Sequence, residues 1–201
     1  MTGQTARLFA ALELPAPAQT ALAQWGGRQL GGLAGARLVA PEALHVTLCF
    51  LGPRPVAEVQ AIAAACHRLS GSPPTRLRCG DAVWLPPRRP GVVAVGLEDL
   101  DGRLAELQSQ LAGRLAAGGW YAPERRPFLA HVTVARLARQ ARVSPFELPA
   151  PSRVRFLATQ ITLFSSWPDA LGVRYQRLAT VRLTPAGSPS TSRTPDRSRR
   201  S

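Results

Sequence analysis

Lysine is missing from this 201-residue chain, so all 25 basic residues are arginines, and against 12 acidic residues they give a formal net charge of +13. Arginine's planar fork matches phosphate oxygens, so such an excess suits a polyanionic partner, although the complete loss of lysine also fits a bias of codon usage. Long hydrophobic runs are missing too. Arg, Glu, Asp, Gly or Pro interrupts every apolar stretch short of the roughly 18 residues that a membrane-spanning helix needs. The first residues enter an alternating strand without an apolar leader core or a small-residue cleavage site, so no secretory signal is expected. Cysteine is scarce: Cys49, Cys66 and Cys79 are odd in number, far apart, and form no CxxC pair of the kind that binds zinc or makes a redox centre. Free thiols in a soluble cytoplasmic protein are the expectation.

What is present is enough apolar material for one domain, at 45% hydrophobic residues. From Thr184 onward the sequence TPAGSPSTSRTPDRSRRS has no hydrophobic periodicity and is expected to be a disordered tail, leaving residues 1–183 as the folded body. Its Arg193, Arg197, Arg199 and Arg200 face only Asp196, so most of the positive charge belongs to the body.

Alternation and apolar runs bounded by Pro and Gly predict eight strands, at about Arg7 to Leu14, Arg37 to Val39, Leu44 to Leu51, Leu77 to Leu85, Val92 to Leu97, Leu129 to Leu137, Val154 to Phe164 and Arg174 to Leu183. Helical spacing appears at Pro15 to Leu30, Pro55 to Leu69 and Leu100 to Ala117, the last with Leu100, Leu104, Leu107, Leu111 and Leu115 on one face. The short gaps at Trp84 to Val92 and Ser165 to Arg174 read as hairpins. The fold class is therefore α+β and bilobal, with two largely antiparallel sheets, helices on their outer faces, and a lobe boundary near Leu69 to Leu85.

An internal echo carries the chemistry. Pro41-Glu42-Ala43-Leu44-His45-Val46-Thr47 is matched 86 positions later by Pro127-Phe128-Leu129-Ala130-His131-Val132-Thr133. Side chains two apart on a strand share a face. His45 and Thr47 thus project together, with Leu44, Val46, Leu48 and Phe50 behind them; His131 and Thr133 do the same, with Ala130, Val132 and Val134 behind. The chain has three histidines, and two fall in the same H-V-T triplet. The third, His67 on a helix, reads as a surface residue. Opening a cyclic phosphate needs a base for the attacking water and an acid for the departing ribose oxygen on the opposite side, and one imidazole from each lobe would supply both. The threonine hydroxyls can hold non-bridging phosphate oxygens. Alternation turns Arg136 away from His131, so it reaches the cleft only if the strand twists or bulges. Cys49, two beyond Thr47, would share the His45 face, but nothing marks it as activated and it reads as a small hydrophobe. A catalytic zinc would want three protein ligands where this face offers two histidines, so neither metal nor cofactor is expected.

These residues resemble a known family, the two-histidine phosphoesterases, in its RNA 2′,3′-cyclic phosphodiesterase branch, also called the 2′-5′ RNA ligase group. The likeness rests on both HxT triplets, on the opening strand Arg7 to Pro15, on LHVTLCFLG from Leu44 to Gly52, on Arg126 to Arg136, and on Leu163 to Leu178 with Gly172 and Tyr175. It implies a bilobal fold with a central cleft carrying both HxT motifs, and metal-free hydrolysis of RNA cyclic ends, such as those of cleaved transfer RNA, to 2′-phosphomonoesters. It further implies His45 as proton donor to the 3′ oxygen, His131 as the base on water, Thr47 and Thr133 as phosphate binders, Arg136 as a further substrate contact and Phe9 as a candidate for stacking on a base. The chain departs from the family at Ala130, where proline is frequent, and in the arginine-rich tail. Reversible 2′-5′ joining of RNA and a non-catalytic RNA-binding module are the alternatives. A monomer is expected.

Overall fold

The computed structural model describes residues 4–124, 126–141, 143–151, 154–169 and 172–184. The expected disordered tail lies outside the described residues, apart from Thr184. The elements run β1 (Thr5–Glu13), α1 (Ala16–Leu30), β2 (Ala36–Leu38), β3 (His45–Pro55), α2 (Val59–His67), β4 (Thr75–Leu85), β5 (Val92–Asp99), α3 (Arg103–Ala117), β6 (His131–Leu137), β7 (Arg155–Ala158), β8 (Gln160–Asp169) and β9 (Gly172–Arg182). Single 3-10 turns, Pro41–Ala43 and Val56–Glu58, precede β3 and α2.

Every strand pairing among the described residues is antiparallel, in the order β7-β4-β5-β6-β3-β1-β8-β9, with β2 also on β6. The strands form one nine-stranded sheet where two are expected from the sequence; its two halves stand in their place and join through one residue pair, Val46 with Val132, between β3 and β6. The molecule is thus bilobal at its seam: the motif strands are the innermost strand of each half. Both hairpins form where the short gaps stand, between β4 and β5 and between β8 and β9.

The helices seal the outer faces with their apolar stripes. Helix α1 opens on prolines 15 and 17, where the missing N–H groups have no intrahelical partner to lose, and buries Ala18, Leu22, Trp25 and Leu30. A Cβ on its Gly26 would lie 3.8 Å from the Leu38 side chain and 3.9 Å from that of Val134, so the helix rests close on β2 and β6. Helix α3 buries Leu104, Leu107, Leu111 and Leu115. Leu100 departs from the expected stripe: the helix starts only at Arg103, after Gly102 in the left-handed region, and Leu100 stays exposed. The run read as one strand from Val154 to Phe164 is two. It breaks at Thr159, β7 pairing with β4 in one lobe and β8 with β1 and β9 in the other, so the chain crosses the molecule there.

Candidate active site

The single pair Val46 with Val132 fixes the centre of the molecule. Both valines are buried, at 1% and 0% exposure, so their neighbours on each strand project from the opposite face. Extending that register by one residue either way sets His45 across from Thr133 and Thr47 across from His131. The two imidazole-bearing positions then lie on a diagonal, roughly 7–8 Å apart in a regular ladder, with a threonine beside each. Two adjoining cavities open on this face. One, of about 300 Å³, holds His45, Arg7, Phe9, Arg136, Trp167 and Tyr175 in its wall. The other, of about 580 Å³, is lined by His131, Gln108, Ser109, Tyr121, Arg126 and Phe128. Thr47 and Phe50 line both, so they stand at the junction.

Each histidine is held in the same way. His45 Nδ1 lies 2.7 Å from the Ala43 carbonyl and His131 Nδ1 lies 2.8 Å from the Leu129 carbonyl, two residues back in each case. A carbonyl oxygen only accepts, so both Nδ1 atoms carry hydrogen and donate. Each Nε2 is left as the nitrogen that can take or give a proton.

A β-bulge follows each triplet and rearranges what the simple alternation predicts. On β3 the register slips so that Cys49 pairs with Ala10 while Thr47 pairs with Ala11, and Leu48 is the extra residue. Leu48 and Cys49 are consequently both buried, and Phe50 turns out to the cleft, 46% exposed, with the Arg7 guanidinium 4.9 Å over its ring. This corrects two expectations: Cys49 leaves the His45 face, and Phe50 joins it. Burial pushes the Cys49 thiol up to about 12, and Cys66 and Cys79 to about 11, so none is a nucleophile at neutral pH. On β6 Ala94 pairs with Thr133 and Val93 with Ala135, making Val134 the extra residue. The bulge brings Arg136 round into the His45 cavity, its Nη2 3.5 Å from the Tyr175 hydroxyl. Phe50 and Arg136 each stand five residues after their histidine, and that shared offset is the signal that could have identified Phe50 in advance.

Phe9 sits in the wall of the same cavity but is only 4% exposed, its ring 4.9 Å from the His45 ring and 5.1 Å from Phe164. Tyr175 closes the set edge-on, 5.3 Å from His45. His45 thus stands in an aromatic box. Burial there, reinforced by the positive charge of Arg136 and by His131, lowers its pKa from the usual 6.5 to about 4. The Ala43 carbonyl and Glu13 act the other way and do not outweigh it. Glu13, which no motif in the sequence singles out, is the direct cross-strand partner of His45. Burial works to raise its carboxyl, but hydrogen bonds from Arg177 and the Thr162 hydroxyl prevail and hold it below the usual carboxylate range. His67 ends α2 and is exposed, as expected. Among the described residues there is no group of three or more His, Cys, Asp or Glu side chains placed to hold a metal ion, and no helix long and apolar enough to cross a membrane.

The 2′-5′ RNA ligase superfamily model matches residues 14–166. The chain is 32% identical over 179 residues to the RNA 2′,3′-cyclic phosphodiesterase of Escherichia coli K12, covering 89% of this chain and 97% of that protein. It superposes on E. coli LigT in its apo form with a TM-score of 0.74 at 29% identity, covering 90% and 99% of the two chains. A solved protein of Thermus thermophilus gives 0.74 at 28% identity, covering 88% and 97%.

Proposed function

Because the chain belongs to the 2′-5′ RNA ligase superfamily, we propose that its cleft hydrolyses RNA 2′,3′-cyclic phosphate ends to 2′-phosphomonoesters, without a metal, by general acid and base catalysis from His45 and His131. The observation that carries this reading is the pair of identically held imidazoles, one from each lobe, on either side of a junction lined by Thr47.

The cyclic phosphate lies at that junction, its non-bridging oxygens on the Thr47 and Thr133 hydroxyls and its negative charge towards Arg136. His131 Nε2 takes a proton from water as the water oxygen bonds to phosphorus. The bond from phosphorus to O3′ breaks on the far side, and His45 Nε2–H delivers its proton to O3′. One proton is taken and one is given, so the next cycle needs only a proton exchange with solvent. In the empty cleft His45 is neutral at pH 7, since its pKa is about 4. An acid must carry its proton, and the bound phosphate anion supplies the missing counter-charge: substrate binding raises the affinity of His45 for a proton, and the ring is loaded as the site fills. We read Phe9 as the wall that desolvates His45 rather than as a base-stacking ring, because its faces already pack on His45 and Phe164. Phe50, exposed at the junction, is the better placed stacking surface.

A second reading has one observation in its favour. The cavity on the His131 side, about 580 Å³, is far larger than a single water needs, so a 5′-hydroxyl RNA end could enter as the nucleophile and give 2′-5′ joining by the same acid and base. Transfer RNA fragments as substrates, a cytoplasmic location and a monomeric state belong to the same proposal.

The test is incubation of the purified protein, with chelator present, with an RNA oligonucleotide ending in a 2′,3′-cyclic phosphate. A 2′-phosphate product is expected; a 3′-phosphate product, or an activity abolished by chelator, would overturn the mechanism.

A further inference from the structure

The positive rim of the cleft does not stop at Arg136. On one side of β6, Arg37 of β2 is the direct cross-strand partner of Arg136, so the two side chains share a face of the sheet. That face is the open one: the next residue, Leu38, points the other way, towards Gly26 of α1. On the other side of β6, Val92 is paired with Arg136, and the Gly91 carbonyl accepts a 2.8 Å hydrogen bond from the Leu137 N–H. The β4–β5 turn is thereby anchored beside Arg136, and it carries the exposed Arg88 and Arg89. Among the described residues the ion pairs are Arg78–Glu98, Arg103–Asp101, Arg174–Asp169 and Arg177–Glu13; neither Arg37, Arg88, Arg89 nor Arg136 is in one. Two like charges directly across a ladder are destabilising, and a polyanion laid over them removes that cost.

We propose that Arg37, Arg88 and Arg89 extend the cleft into a docking track for the phosphates of the single-stranded RNA chain that leads into the cyclic end. The track rests on the active-site reading above and adds the substrate's form to it: a polynucleotide is engaged beyond its last residue, where a cyclic mononucleotide is not. Guanidinium forks on exposed backbone suit phosphate oxygens and carry no base preference, so the track contributes affinity and salt dependence rather than sequence specificity.

The experiment uses the full chain and the variant Arg37→Gln/Arg88→Gln/Arg89→Gln, with two substrates, a short RNA oligonucleotide ending in a 2′,3′-cyclic phosphate and a 2′,3′-cyclic mononucleotide. For the oligonucleotide kcat/KM falls about tenfold at roughly 50 mM salt, mostly through KM, and the logarithmic salt slope drops by about 2, roughly 0.7 for each single-strand phosphate that is no longer neutralised. For the mononucleotide kcat/KM does not change. Equal losses on both substrates, or no loss on either, would overturn the track. Direct binding of the same oligonucleotide without its cyclic end separates this idea from the active-site reading. If the wild-type protein cleaves neither substrate, the catalytic reading fails, whereas the track fails only if the salt slope of binding is the same for wild type and variant.

Discussion

His45 and His131 hold the same place in the same triplet, with the same Nδ1 bond to a carbonyl two residues back and the same bulge beyond, yet their surroundings differ. His45 is enclosed by Phe9, Phe164 and Tyr175, with Arg136 alongside; His131 opens onto a groove carrying Gln108, Ser109 and Arg126. Repetition of a local motif therefore fixes the tautomer of both rings, while the neighbouring strands decide how readily one of them charges. The proposed reaction uses the shared geometry at both rings, and it requires the bound phosphate to raise the lowered pKa of His45 before that ring serves as the acid.

The comparison breaks most visibly if either ring is removed. His45→Ala and His131→Ala each lower kcat by about 10²–10⁴ with the fold retained, as circular dichroism would verify. The double variant falls little further than the worse single one, because the two act as a unit. Full activity in either single variant would contradict the division of roles. Next in size, Arg136→Gln removes a positive charge from the wall of the His45 cavity, where the proposed mechanism places the phosphate, and lowers kcat/KM roughly 10–100-fold, the effect of losing a hydrogen bond to a charged group. Should the loss appear only with long oligonucleotides, Arg136 would belong to the outer track and not to the site.

Acid stability sharpens the same contrast. Above about pH 6.5 His45 is neutral whether the chain is folded or not. Between 6.5 and about 4 the unfolded ring takes up a proton that the folded one refuses, so stability falls with pH across that window, by up to about 3 kcal/mol. The depressed carboxyl of Glu13 adds a loss of the same sign at still lower pH, since a carboxylate held below its usual range contributes stability that disappears as it protonates. Urea titrations at several pH values should show a flatter profile for His45→Gln than for wild type; parallel profiles would mean that His45 is not shielded. Smallest of all, Phe9→Leu loosens the aromatic box, moves the His45 pKa up from about 4 and changes kcat by only a few-fold.

Most of the frame was legible because strand alternation and proline and glycine punctuation are local signals. The paired triplets, both hairpins and the bodies of the three helices stand where those signals put them, with α2 and α3 each starting a few residues later than expected. The failures share a cause: they depend on contacts between strands remote in sequence. The bulges at Leu48 and Val134 contain no glycine and break no hydrophobic run, so the slip that buries Cys49 and turns Phe50 and Arg136 outward shows along the chain only in the five-residue offset these two share from their histidines. The crossing at Thr159 falls inside continuous alternation and shows only in the different partners of β7 and β8. Leu100 fits a helical stripe by spacing but lies before the left-handed glycine at which α3 begins. Glu13 is one acid on an apolar strand, unremarkable until Arg177 and Thr162 close on it from β9 and β8.

Titrating both imidazoles by proton and nitrogen NMR, in the free protein and with a 2′-phosphorylated nucleotide bound, tests the division of roles most directly. His45 should titrate near 4 when the cleft is empty and move sharply upward when the phosphate enters. A His45 that titrates at the ordinary 6.5 in the free protein, and ignores the phosphate, would contradict it.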